Sequence, residues 1–127
     1  YYRYIMSDRS SERGSYVITP DSYIAIGNQQ SQIGNDLGAL AAYDRAVSLA
    51  PSYARAYNYR GTLKHQELGD PVGALADYDK AISLDPNLAA AYFVRSLLKR
   101  NLLDDVLGAA HDRHRAIEID PNIVADR

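Results

Sequence analysis

Apolar residues in this chain do not alternate with polar ones; they recur three and four positions apart, in stretches separated by breaks. Leu75, Tyr78, Ile82 and Leu84, with Ala74 and Ala81 between them, form a stripe near the helical period. The preceding stretch, Tyr53 to Leu68, reads as another helix, and Gly69-Asp70-Pro71 separates the two. Gly69 suits a left-handed cap, and Pro71 suits the first turn of the helix it opens. Pro86 then blocks direct continuation. The same reading gives helices at about Asp21 to Ile33 and Leu37 to Leu49, with Thr19-Pro20 as cap and first-turn proline. A third pair spans about Leu88 to Leu103 and Asp105 to Ile119. The pattern predicts an all-α chain of three antiparallel helix hairpins.

Those hairpins are copies of one another. Pro51, Pro86 and Pro121 lie 35 residues apart, closing the phrases Ala46-Val47-Ser48-Leu49-Ala50, Ala81-Ile82-Ser83-Leu84-Asp85 and Ala116-Ile117-Glu118-Ile119-Asp120. Small residues recur where paired helices should cross: Gly27 with Ala39, Gly61 with Ala74, Ser96 with Ala109. Aromatics accompany them as Tyr23 and Tyr43, Tyr57 and Tyr78, then Tyr92. One hairpin cannot bury its own apolar face, so neighbours have to stack.

The order aromatic, small residue, Ala, aromatic, Ala, Pro resembles the tetratricopeptide repeat (TPR). In the first copy it is Tyr23, Gly27, Ala39, Tyr43, Ala46, Pro51; in the second, Tyr57, Gly61, Ala74, Tyr78, Ala81, Pro86. The phrase Gly73 to Ile82 is especially similar to bacterial and organellar members. The third copy keeps Tyr92, Ala109, Ala116 and Pro121, but has Ser96 for glycine and Arg113 for the second aromatic. Arg113 therefore marks an outer or partner-facing end. Gly61 to Gly69 is one residue longer than Gly27 to Gly34, which places an extra residue in the last helical turn or the hairpin loop. The resemblance implies a right-handed α-solenoid of three TPR hairpins, at about 20–51, 52–86 and 87–121. Residues 1–19 are expected to form an extension or linker, with Tyr1 to Met6 a candidate end of a preceding helix. Residues 122–127 are expected to start a truncated capping helix. Because the chain begins with Tyr, it reads as a fragment or processed product.

Composition narrows the chemistry. The chain is 46% hydrophobic and 24% charged, with net charge -2, which fits a soluble globular protein and supplies no broad basic field for phosphates or anionic lipid. Cysteine is absent, excluding disulfides and thiolate chemistry. No apolar run approaches the ~20 residues of a membrane span. There is no nucleophile elbow, phosphate loop, dinucleotide fingerprint or zincin motif, so no enzymatic activity is expected. His111, His114 and Glu118 share one helix face, but they read as a polar outer surface beside Asp112, Arg113 and Arg115. No metal and no cofactor are expected.

The TPR resemblance implies a concave groove lined by the first helix of each hairpin, holding an extended segment or helix of another protein. By register it presents Ile24, Asn28 and Ser31; then Arg55, Asn58, Thr62 and His65; then Phe93, Leu97 and Arg100. Asparagine amides can bridge a guest backbone, arginines can pair with carboxylates, and Phe93 with Leu97 can seat an apolar anchor. Chaperone-binding members hold a C-terminal carboxylate with two Lys, two Asn and an Arg. Those positions fall here on Ile24, Asn28, Tyr59, Ala90 and Val94, and only Asn28 matches, which argues against a chaperone tail. Two rival readings are an RNA-binding pentatricopeptide-like repeat, supported by Arg55 and Arg100 but opposed by the acidic pI, and a self-assembling scaffold joined through its repeat ends.

Overall fold

The computed structural model describes residues 18–124, which form six α-helices and, among those residues, no strand. They are α1 (Pro20–Gln32), α2 (Asp36–Leu49), α3 (Ala54–Gln66), α4 (Pro71–Leu84), α5 (Ala89–Asn101) and α6 (Val106–Ile119). The bounds expected from the sequence hold to within about three residues. Most of the expected extension, residues 1–17, and the last three residues of the expected capping helix lie outside the described residues. Thr19, Asn35, Asp70 and Asp105 each cap a helix by accepting a hydrogen bond from the backbone N–H three residues on. Pro20 and Pro71 occupy the first turns, as expected.

The extra residue of the longer hairpins sits in the loop. α1, α3 and α5 run equally far past Gly27, Gly61 and Ser96, but two residues separate α1 from its successor's cap, against three after α3 and α5. The longer loops place Leu68 and Leu103 against the tyrosine clusters of the preceding hairpins. Gly34 and Gly69 carry φ of 81° and 62°, and Asp104 takes the equivalent left-handed turn at φ 54°.

Helices pair within hairpins, and hairpins stack in chain order, α2 on α3 and α4 on α5. The first helices also touch one another, α1 with α3 and α3 with α5, whereas no contact joins α2 to α4 or α4 to α6. First helices therefore form the inner wall of a curved stack, and second helices the outer wall.

Two packing devices recur with the repeat. In the first, a glycine of the inner helix receives the tyrosine of its partner helix. A Cβ on Gly61 would come within 2.8 Å of the Tyr78 ring, and one on Gly27 would collide with Tyr43. The third hairpin changes both members, Ser96 standing where Arg113 replaces the ring. In the second device, an arginine bridges three helices. Arg60 grips Asp77 with two hydrogen bonds of 2.9 and 2.8 Å and reaches back 3.0 Å to Asp44 of the preceding hairpin. Thirty-five residues on, Arg95 does the same with Asp112 (2.7 and 2.7 Å) and Asp79 (2.8 Å). Lys64 and Lys99 add second cations to Asp77 and Asp112 at 3.1 and 3.0 Å. Tyr57 and Tyr92 lie under the two guanidiniums at 5.6 and 5.7 Å. The first hairpin has Ile26, Gln30 and Ala42 at these positions and so lacks the cluster.

Asp112 is fully buried. Burial pushes its carboxyl up, but the hydrogen bonds and charges of Arg95 and Lys99 outweigh that and hold it below the ordinary 3.8. The pair's contribution is thus complete above the unfolded value and is lost as pH falls through the folded one.

Three substitutions test this account by chemical denaturation. Gly61→Ala should destabilise by about 1–3 kcal/mol, since the Tyr78 ring has to move. Asp104→Gly should stabilise by about 0.5–1 kcal/mol by relieving the left-handed aspartate. Asp112→Asn should cost toward the lower end of about 3–5 kcal/mol, because Arg95 retains Asp79 and some water. It should also flatten the acid limb of the stability curve below about pH 4, near the ordinary carboxylate value.

Candidate functional site

Inward-facing positions of the first helices follow from the spacing around Gly27, Gly61 and Ser96. The position three before each holds Ile24, Asn58 and Phe93; the position one after holds Asn28, Thr62 and Leu97; and four after come Ser31, His65 and Arg100. Apart from Ile24, the inner wall is thus polar through two hairpins, and it is apolar then basic in the third.

In the first two hairpins the tyrosine that packs on the glycine also sends its hydroxyl into this wall. Tyr43 donates to Asn28 Oδ1 at 2.6 Å. Tyr78 Oη lies 3.3 Å from Thr62 Oγ1 and 3.3 Å from His65 Nδ1, and Thr62 donates in turn to the Asn58 carbonyl at 3.0 Å. Burial pushes both phenols up to about 12, so each stays protonated near neutrality. Burial also holds the His65 imidazole below its ordinary value, favouring the neutral ring.

The ten candidates do not converge on one spot. Asn28, Ser31 and Thr62 line a shallow depression of about 310 Å³, together with the stacked rings of Tyr43 and Tyr59, 6.0 Å apart. Phe93, Leu97 and Arg100 line a larger cleft of about 540 Å³ between α5 and α6. Ile24 and Phe93 are each only 7% exposed, so both serve the core. Arg55 is exposed near the start of α3. Asn58 is half-buried, and its Oδ1 is shut away from solvent without a hydrogen-bond partner.

That orphan acceptor is unusual, since leaving a buried polar atom unpaired costs about 1–3 kcal/mol. Its counterparts Ile24 and Phe93 show that the position accepts apolar side chains. Tyr59, considered in the sequence only as a position of the carboxylate clamp, lines the depression with its ring stacked on Tyr43. The repeat spacing of Arg60 and Arg95, with Asp77 and Asp112, was the visible signal for the ionic clusters.

At the five positions corresponding to the carboxylate clamp, Ile24 is buried, Asn28 is tied to Tyr43, and Tyr59 is stacked on Tyr43. Ala90 is exposed and Val94 packs beside Tyr78. None of the five carries a positive charge. Among the described residues no group of three His, Cys, Asp or Glu is placed to hold a metal ion, and no helix is long and apolar enough to cross a membrane.

No family model matches the chain, and no curated protein matches it. Solved structures do. Two structures of MamA align over 85% of this chain at 24% identity, with TM-scores of 0.73 and 0.70. The chain spans 62% and 58% of their length. The first TPR of Spaghetti (RPAP3), bound to an HSP90 peptide, aligns with a TM-score of 0.76 at 21% identity, over 82% of this chain and 81% of that one. The TPR2B domain of yeast Sti1, in a pHsp70 complex, gives 0.73 at 23% identity, over 84% and 87%. The fold is therefore that of the tetratricopeptide-repeat solenoids, as the resemblance in the sequence implied.

A proton NMR titration should find the His65 ring titrating below its ordinary value of 6.5, with the midpoint returning to that value when the chain is unfolded in denaturant. A midpoint at or above 6.5 in the folded protein would mean that the ring is not buried beside Tyr78.

Proposed function

We propose that this chain is a protein-interaction module or assembly scaffold, without catalytic activity of its own, that holds a peptide or helix of another protein along its inner wall. Asn58 carries the reading. An amide with a buried, unpaired oxygen sits in the middle of that wall, where both neighbouring repeats place apolar residues. It lowers stability, and a role in binding explains its presence. A modest swing of the amide presents a donor and an acceptor to a guest backbone. Asn28, Ser31 and Thr62 supply further hydrogen-bonding edges beside the tyrosine stack, and Arg55 adds a cation at the rim. His65 stands at the end of the Tyr78–Thr62 relay, while Phe93, Leu97 and Arg100 extend the surface toward the third hairpin.

The solved relatives bound to HSP90 and Hsp70 ligands support a peptide as the guest, but the clamp cations are replaced here, so the recognised chemistry differs. Without them a terminal carboxylate finds no charge-assisted partner. The acidic balance of the chain, net charge -2, favours protein over RNA as partner.

Asn58→Leu should raise the melting temperature and yet weaken capture of the partner about tenfold or more in pull-downs with the purified chain. Arg55→Glu should weaken capture while leaving stability unchanged within about 0.5 kcal/mol. Undiminished capture by both variants would exclude the inner wall. Calorimetric titration with the HSP90 peptide SRMEEVD should give no saturable binding; micromolar affinity would restore the clamp reading.

A further inference from the structure

The depression of about 310 Å³ between α1 and α3 holds two departures from the repeat. Glu67 closes α3, where the residues that close α1 and α5 are Ile33 and Leu102, both apolar and exposed. Tyr59 stands where α1 and α5 have Ala25 and Val94. Both side chains line the depression. It lies inside the stack, between successive first helices, and the hairpin that carries both residues has a neighbour packed on either side.

The charge of this lining is one-sided. Glu67 is its only ionised group; the other lining residues are neutral, and their amides and hydroxyls offer acceptor oxygens. Among the described residues Glu67 takes part in no ion pair. Lys64, one turn earlier, is held by Asp77 at 3.1 Å. Arg55 lies at the other end of α3, about 18 Å away by helical rise. The stacked rings of Tyr43 and Tyr59 act in the same sense as the carboxylate, because a ring face attracts a cation. An acidic side chain brought here would meet a like charge. An aliphatic one would desolvate the carboxylate and the amides without pairing them. A cation answers the carboxylate, the rings and the acceptor oxygens together.

We propose that this depression seats a lysine or arginine side chain of the guest segment, paired with Glu67 and lying against the Tyr59 ring. The assignment rests on the inner-wall reading and gives it a charge preference. The guest carries a basic residue at this point, opposite in sign to the terminal carboxylate that the absent clamp would have held. Arginine is the better fit of the two, since its planar guanidinium also stacks on an aromatic ring.

The test pans a phage-displayed library of random dodecapeptides against the whole chain. Selected peptides should carry Arg or Lys about threefold more often than the unselected library, and Glu67→Lys should pass the enrichment to Asp and Glu. A basic peptide so selected, amidated at its C-terminus, should bind Glu67→Gln about tenfold more weakly by fluorescence anisotropy. Its affinity for the unaltered chain should fall as salt rises. Glu67 is exposed and unpaired, so its variants should fold, and circular dichroism melts establish that they do. Basic enrichment that persists in Glu67→Lys overturns the proposal and assigns the preference to the acidic chain as a whole. Peptides without basic enrichment that still lose affinity in Asn58→Leu overturn it as well, while leaving the inner-wall reading intact. Peptides indifferent to both Asn58→Leu and Glu67→Lys, or no selected peptide at all, remove the inner wall and this seat with it.

Discussion

Each hairpin in this chain leaves the outer stripe of its second helix uncovered until the next first helix lies on it. That single requirement orders the rest. It sets the stacking of α3 on α2 and α5 on α4, and it explains why Ala56, Tyr59 and Leu63 recur as Ala91, Val94 and Leu98. Apolar burial supplies the attraction but not the register, since it is non-directional. The arginine bridges provide direction: Arg60 and Arg95 each join a carboxylate of their own hairpin to one of the hairpin before. A hairpin displaced along its neighbour would leave Asp77 or Asp112 buried without its fork.

Most of the fold was legible because a repeat supplies several readings of one pattern. Three prolines at constant spacing, and glycines and tyrosines in phase with them, locate all six helices within a few residues. The two bridging clusters were equally periodic, yet an Arg and an Asp separated by 17 positions declare a contact only once the hairpin geometry is known. The groove was less legible. Helical register says which side a residue faces, not whether the neighbouring turn covers it, so Ile24 and Phe93 fell on the inner line and proved to be buried. Nor could periodicity separate the Asn28–Ser31–Thr62 depression from the cleft that takes Phe93, Leu97 and Arg100. Arg113 is the counterexample. A charge in the place of a framework ring was visible in the sequence, and the structure puts that residue on the cleft between α5 and α6.

The inner wall and the junctions divide the polar chemistry between them. Charged pairs concentrate where helices meet, with Asp77 and Asp112 buried and each held by two cations. Neutral amides, hydroxyls and phenols face the concavity, and Tyr43 and Tyr78 link the two layers, each packing on a glycine with its ring and steadying the wall with its hydroxyl. Asn28 and Thr62 are therefore held in place by core tyrosines.

The paired exchange of Gly61 and Tyr78 for Ser96 and Arg113 limits how freely these modules can be recombined. A helix carrying the glycine tolerates either companion, whereas one carrying the serine tolerates only a companion without the ring. In a chimera, α3 can be grafted opposite α6, but α5 grafted opposite α4 drives a Cβ into a tyrosine. Single helices are therefore exchangeable in one direction only, whereas a hairpin moved whole carries its matched pair with it.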